Sequence, residues 1–207
     1  MTQHGMTIVW DIDDVLLEWR QSFHDWMVAA GTASQLDCQS DPNYDLCGSF
    51  PDLGYAGFQN NVARFRRSAE FAGLPLVPGA EKAVALSRRL AGPGGRLVAV
   101  TAPGDDEHTR AVRLRQIARF GFDDARILAL GASKTDQLRE LQADLLIDDS
   151  PKVAQDATAA GFRVLLKDKS YNRHLDLPKI LCWTTCLGVL EDQVAQIRLS
   201  HQGRSAA

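Results

Sequence analysis

Four clusters able to handle phosphate or a hard cation are spread along the chain, each just after a short apolar run. Asp11-Ile12-Asp13-Asp14 follows Thr7-Ile8-Val9-Trp10, and Thr101-Ala102-Pro103 follows Leu97-Val98-Ala99-Val100. Lys134 lies just beyond Arg126-Ile127-Leu128-Ala129-Leu130, and Asp148-Asp149 ends Leu145-Leu146-Ile147. Carboxylates gathered at one edge repel one another unless a cation sits among them. An oxygen-only donor set with few members points to Mg2+, with water and substrate oxygens completing the octahedron. A lysine and a hydroxyl beside that ion bind a phosphate, so the set reads as a phosphoryl-transfer site. A strand-terminal Asp11 carboxylate can attack phosphorus and form an aspartyl phosphate. Asp13, two residues on, can protonate the leaving alkoxide and later deprotonate the attacking water. Thr101 offers its hydroxyl, and Ala102 its backbone N–H, to phosphate oxygens. Lys134 stands at a helix start, where the dipole disfavours a cation, and an anion facing it would remove that misfit. Asp-x-Asp alone also suits a solvated acidic turn, a glycosyltransferase or a calcium loop, so the reading rests on the four clusters converging.

Convergence requires elements that bring the four together. The apolar runs are continuous rather than alternating, as in parallel strands buried on both faces, and Arg163-Val164-Leu165-Leu166 supplies a fifth. Between them lie helical periods at 80–90, at 108–120, from Ser133 with Asp136 as an approximate capping box, and from Pro151 to about residue 160. Strands alternating with helices predict an α/β fold, a Rossmann-like doubly wound parallel sheet whose ligands sit beyond the carboxyl ends of the strands. Residues 18–74 break the alternation. Trp19, Phe23 and Trp26 form a helical packing stripe, a turn-rich loop follows at 40–43, and 55–71 reads as a second helix. The expected organisation is a core of 1–17 and 75–207 with a small helical cap, 18–74, inserted after the first strand. The polar tail 200–207 reads as disordered.

At 207 residues the chain is long enough for one domain with an insertion, on a prior of about 150 residues per domain. A net charge of −3 with interspersed signs disfavours a nucleic-acid polymer as partner. No run approaches the ~18 apolar residues of a membrane helix. Residues 1–7 lack a basic stretch followed by an apolar core, so the expected location is cytoplasmic. Cys182 and Cys186, spaced Cys-x3-Cys without a partner pair, read with Cys38 and Cys47 as small reduced core residues. His24, His108 and His174 read as surface or packing residues, and Arg163, Lys167, Lys169 and Arg173 as a solvated edge.

The strings V-W-D-I-D-D-V, V-A-V-T-A, S-K and L-L-I-D-D, in this order and each at a strand end, resemble the haloacid dehalogenase-like superfamily over about 7–17 and 75–167. The resemblance implies Asp11 as nucleophile, Asp13 as acid/base, and Thr101 and Lys134 as phosphate ligands. It also implies Mg2+ held by the Asp11 carboxylate, the Asp13 backbone carbonyl and Asp149, with Asp148 behind the direct ligands. Dehalogenase members lack the second aspartate of the first motif, so Asp13 favours a phosphatase. D-L-L-I-D-D at 144–149, T-A-P at 101–103 and Y-N-R-H at 171–174 further resemble the cytosolic-type deoxyribonucleotidases. The resemblance implies a small phosphorylated metabolite as partner, first a nucleoside 5′-monophosphate. The alternatives are a sugar phosphate or other small metabolite, for a phosphatase or phosphotransferase, or a phosphate-binding regulatory module without turnover. Among Tyr44, Phe50, Tyr55 and Phe58, at least one is expected to face a substrate, because aromatic faces suit nucleobases.

Overall fold

The computed structural model describes residues 5–104 and 106–205, without the side chains of 204 and 205. Residues 1–4 of the N-terminal stretch and 206–207 of the tail lie outside the described residues. The apolar runs form β1 (Thr7–Trp10), β2 (Arg96–Thr101), β3 (Asp124–Ile127), β4 (Leu145–Asp148) and β5 (Val164–Lys167), joined by a two-residue β6 (Lys179–Ile180). All pair in parallel, in the order β3-β2-β1-β4-β5-β6. This is a doubly wound order, with the direction of winding reversing between β1 and β4.

Both faces of the sheet are covered, which is why the strands read as unbroken apolar runs. Ile8, Trp10, Leu97, Ala99, Leu145, Ile147 and Leu165 face one core. Their sequence neighbours Val9, Val98, Val100, Leu146, Val164 and Leu166 face the other. The first core is closed by α1 (Trp19–Ala29), α2 (Gly54–Phe65), the single turn α3 (Ala69–Ala72), α4 (Ala80–Ala91), α5 (Glu107–Ala118) and α8 (Gly188–Ser205). The second is closed by α6 (Lys134–Leu141) and α7 (Pro151–Ala159). Among the described residues, no helix is long and apolar enough to cross a membrane.

Four expectations need correction. The third strand spans Asp124–Ile127, not 126–130: Leu128 makes its backbone bond to Thr101 O (2.8 Å), and the chain then runs out to exposed Leu130 and the positive-φ Gly131. The helix expected at 55–71 is two helices, because Ser68 takes an extended conformation and its side chain caps α3 by accepting from Phe71 N (3.2 Å). The tail is helical to Ser205: Leu190, Val194 and Ile197 form a buried stripe, and Arg198 bonds Leu90 O (2.7 Å). Of the four cysteines, all free, only Cys38 is buried. Cys182 sits in a turn where hydrogen bonds from Thr184 bring its thiol down to about 7.

The inserted segment leaves and returns at one place. Glu18 N bonds Pro75 O (2.9 Å), Val77 N bonds Leu16 O (2.9 Å), and Leu17 bridges Leu76. Its long loop is built around two buried charges. The Arg20 guanidinium donates to the carbonyls of Cys38 (2.8 Å), Asp41 (3.0 Å), Asn43 (2.9 Å) and Tyr44 (3.0 Å). The Asp41 carboxylate accepts from N and Nδ2 of Asn43 and from N and Oγ of Ser49. Gly48 completes the turn, since a Cβ there would lie 2.6 Å from Asp41 Oδ1.

Burial works to raise the Asp41 pKa, but the four donors outweigh it and hold the carboxyl below the usual range. Its stabilising effect is therefore complete above the unfolded-state value of about 3.9 and is lost as pH falls through the lower folded value. Asp41→Asn is expected to cost about 1–3 kcal/mol at pH 7. Melting curves stepped from pH 7 to pH 3 should show that deficit shrinking; a constant gap would mean that the charge does not hold the loop.

Candidate active site

The β1–β4 register fixes the first two site residues. Trp10 pairs with Ile147, and Asp11 N donates to Ile147 O (2.8 Å), so Asp11 and Asp148 emerge side by side where the winding reverses. That crevice is where doubly wound sheets bind ligands. Lys134, at the first position of α6 behind the Ser133 cap, reaches both carboxylates: Nζ is 2.5 Å from Asp11 Oδ1 and 2.8 Å from Asp148 Oδ2. Asp148 spends its other oxygen on Ser150 N (2.8 Å). Asp149 accepts from the Tyr171 hydroxyl through Oδ2, while Asn172 Nδ2 donates to its carbonyl (2.8 Å). Asp13 pairs with Arg113, whose Nη2 donates to Oδ1 at 2.5 Å.

Asp14 makes the turn after β1 possible at some cost. It holds a positive φ (59°) that a residue with a Cβ seldom adopts. The conformation is compensated by Asp14 N to Leu17 O (2.7 Å), Arg20 N to Asp14 Oδ1 (3.0 Å), and the Lys169 ammonium at 3.7 Å.

Carboxylates outnumber cations here. Burial pushes the carboxyls of Asp11, Asp13 and Asp148 up, opposed by Lys134 at Asp11 and Asp148 and by Arg113 at Asp13. At Asp149 burial is reinforced by Asp11 and Asp148, which puts this carboxyl well above its ordinary range. Burial would lower the Lys134 ammonium, but Asp11 and Asp148 outweigh it and keep it charged. Asp11, Asp148 and Asp149 each place one carboxylate oxygen within 4.8 Å of the others. Three hard oxygen donors with excess negative charge fit a divalent cation such as Mg2+.

A cavity of about 560 Å3 opens over Asp11 and Lys134, lined also by Asp13, Thr101 and Ala102. An adjoining one of about 360 Å3 shares Asp13, Ala102 and Tyr44 with it and is walled by Tyr55, Phe58 and Arg66. Tyr44, 57% exposed, stands edge-on to Tyr171 at 5.3 Å. Phe58 packs edge-on to Phe23 (5.6 Å). Phe50 lines neither cavity; it is buried, with its ring tilted against His24 (5.3 Å). Trp19, Phe23 and Trp26 pack as a stripe, and Trp19 also lines the second cavity.

Arg113, Tyr171 and Lys169 are the site neighbours that spacing did not single out as partners. Arg113 is separated from Asp13 by 100 residues. Lys167 and Lys169 are buried rather than part of a solvated edge: Lys167 donates to Leu181 O (2.6 Å), and Lys169 faces Asp14. The signal available was Lys-x-Lys directly after an apolar strand, the same position that flagged the acids.

Comparison by sequence finds no matching family model and no matching curated relative. Comparison of folds does find matches. A haloacid dehalogenase-like family hydrolase from Streptococcus pneumoniae superposes with a TM-score of 0.61 at 16% identity, over 92% of this chain and 99% of that one. This chain has the haloacid dehalogenase-like fold. On that fold, protein tyrosine kinase A of Mycobacterium tuberculosis matches at TM-score 0.59 and 15% identity, covering 93% of this chain and 99% of its own. CbbY of Rhodobacter sphaeroides, solved with phosphate, matches at 0.51 and 19%, covering 90% of this chain and 99% of that one.

Proposed function

We propose that this chain is a Mg2+-dependent phosphomonoester hydrolase that works through an aspartyl phosphate on Asp11. The observation that carries the reading is Lys134 clamped between Asp11 and Asp148 at the switch point, beside a third buried carboxylate and beneath a cavity. A Lewis acid at such a cluster neutralises phosphate charge. The Asp11 and Asp149 carboxylates and the Asp13 carbonyl would hold the ion, consistent with Asp148 having both oxygens engaged by protein donors.

Asp11 attacks phosphorus, the P–O bond to the leaving group breaks, and its electron pair stays on the leaving oxygen, which takes a proton from Asp13. Asp13 then takes a proton from water as that water attacks the phosphorus of the aspartyl phosphate. The P–O bond to Asp11 breaks, releasing orthophosphate and restoring the carboxylate. Thr101, the Ala102 N–H and Lys134 orient the phosphate oxygens. Residues 18–74, tied to the core at Glu18–Pro75, act as a cap that limits water and meets the leaving group through Tyr44, Tyr55 and Phe58.

The substrate class is a small phosphorylated metabolite. A sugar phosphate fits at least as well as a nucleoside 5′-monophosphate, the case for the nucleotide being the aromatic wall of the second cavity. The test is p-nitrophenyl phosphate turnover, expected to be abolished by EDTA and restored by Mg2+. Asp149→Ala is expected to raise the Mg2+ concentration needed for half-maximal rate by about 10-fold or more. Turnover indifferent to EDTA would refute the metal assignment, and phosphate binding without turnover would favour a regulatory module.

A further inference from the structure

Arg113 is a buried cation with an incomplete set of partners. It is fully buried (0% exposed side chain) on α5, and among the described residues its one ion pair is with Asp13, whose side chain is 26% exposed. Its guanidinium carbon lies 5.1 Å from the centroid of the Phe71 ring. Gln116, one turn further along α5, donates to Phe71 O (2.6 Å) and so ties the Phe71 backbone to the same helix. Among the described residues, Arg113 Nε and Nη1 are buried without a hydrogen-bond partner. A buried guanidinium so poorly satisfied is destabilising, and an apolar side chain of similar volume would fill the space at lower cost. What an apolar side chain would not do is grip Asp13.

Asp13 lines both cavities. Arg113 reaches it through Oδ1 alone, and the planar guanidinium, stacked on Phe71, has little freedom to follow a different carboxylate rotamer. We propose that Arg113 is the positioning residue for the acid/base step: by holding Oδ1 it fixes the Asp13 carboxyl at the wall shared by the two cavities and leaves Oδ2 as the atom that carries the proton. The role rests on the hydrolase reading above. Oδ2–H passes its proton to the leaving oxygen as the bond to phosphorus breaks, and the same Oδ2 accepts a proton from the attacking water. Arg113 stays charged throughout and exchanges no proton.

Leaving groups separate this role from a structural one. An alkoxide needs the proton, whereas dinitrophenolate departs without it. The measurement is kcat/KM on ethyl phosphate divided by kcat/KM on 2,4-dinitrophenyl phosphate, because kcat/KM covers the steps through departure of the leaving group and not hydrolysis of the aspartyl phosphate common to both; melting curves are run in parallel. Arg113→Met is expected to lower this ratio about 30-fold or more, within the range for loss of general-acid catalysis. Arg113→Lys, which keeps the charge and a shorter donor, should recover part of it and also covers the case in which the methionine variant folds poorly. In an Asp13→Asn background, Arg113→Met should not lower the ratio further. An equal loss of kcat/KM on both esters in the methionine and lysine variants would overturn the positioning role. A ratio that rises would overturn it too, because the ion pair would then be withholding the acid. If the wild type hydrolyses neither ester, the hydrolase reading falls and the positioning role with it; uniform loss by active variants removes only the latter.

Discussion

Asp11→Asn is expected to lose at least about 10^3-fold in turnover while the fold becomes no less stable. The amide keeps the shape of the side chain and removes the attacking charge. It also relieves repulsion, because Asp11 is one of three carboxylates gathered within reach of one another, and Lys134 keeps Asp148 as a partner after the change. A site that concentrates like charge for chemistry gives up stability to do so, and neutralising one member returns some of it. Activity assays paired with thermal melts without added metal check both halves. Near-normal turnover, with mass spectrometry excluding deamidation, would remove Asp11 from the nucleophile's role. A large drop in Tm would show that the charge serves the fold instead.

Lys134→Met has the second large effect, and it acts on stability as well as rate. Removing the ammonium leaves Asp11 and Asp148 buried without the cation that offsets their burial. Breaking a buried ion pair from one side costs about 3–5 kcal/mol. In a domain of this size that corresponds to a Tm lower by roughly 6–20 °C. Mg2+ binds only the folded cluster, so millimolar Mg2+ should return part of the loss by mass action, whereas it should raise the wild-type Tm less. A variant as stable as wild type in EDTA would mean that the carboxylates are held neutral and that the clamp adds nothing.

The sheet was legible because its strands are buried on both faces, and continuous apolar runs ended by acids mark such strands and their carboxyl ends together. Asp11, Thr101 and Asp148-Asp149 could be placed for that reason, and Lys134 by the helix start at Ser133. β3 misled because it is an edge strand carrying Asp124 and Arg126, while the more apolar Leu128–Leu130 stretch beyond it is loop. β6 is two residues long, too short for periodicity to register. The break between α2 and α3 turned on Ser68 serving as a cap rather than as a helical residue. Arg113 was hidden for another reason. Nothing local to α5 says that one of its arginines points inward, and its partner lies across the fold. Asp14 was visible as an acid, but its left-handed backbone and the Lys169 and Arg20 contacts that support it belong to tertiary structure.

Trapping the covalent intermediate tests the central claim most directly. The protein would be mixed with Mg2+ and a rapidly hydrolysed phosphomonoester, quenched in acid, reduced with borohydride and digested for peptide sequencing by mass spectrometry. An acyl phosphate is reduced to the alcohol, so the account predicts homoserine at position 11 and unaltered aspartate at positions 13, 148 and 149. Unmodified aspartate at position 11 under conditions of full turnover, or homoserine at another position, would contradict it.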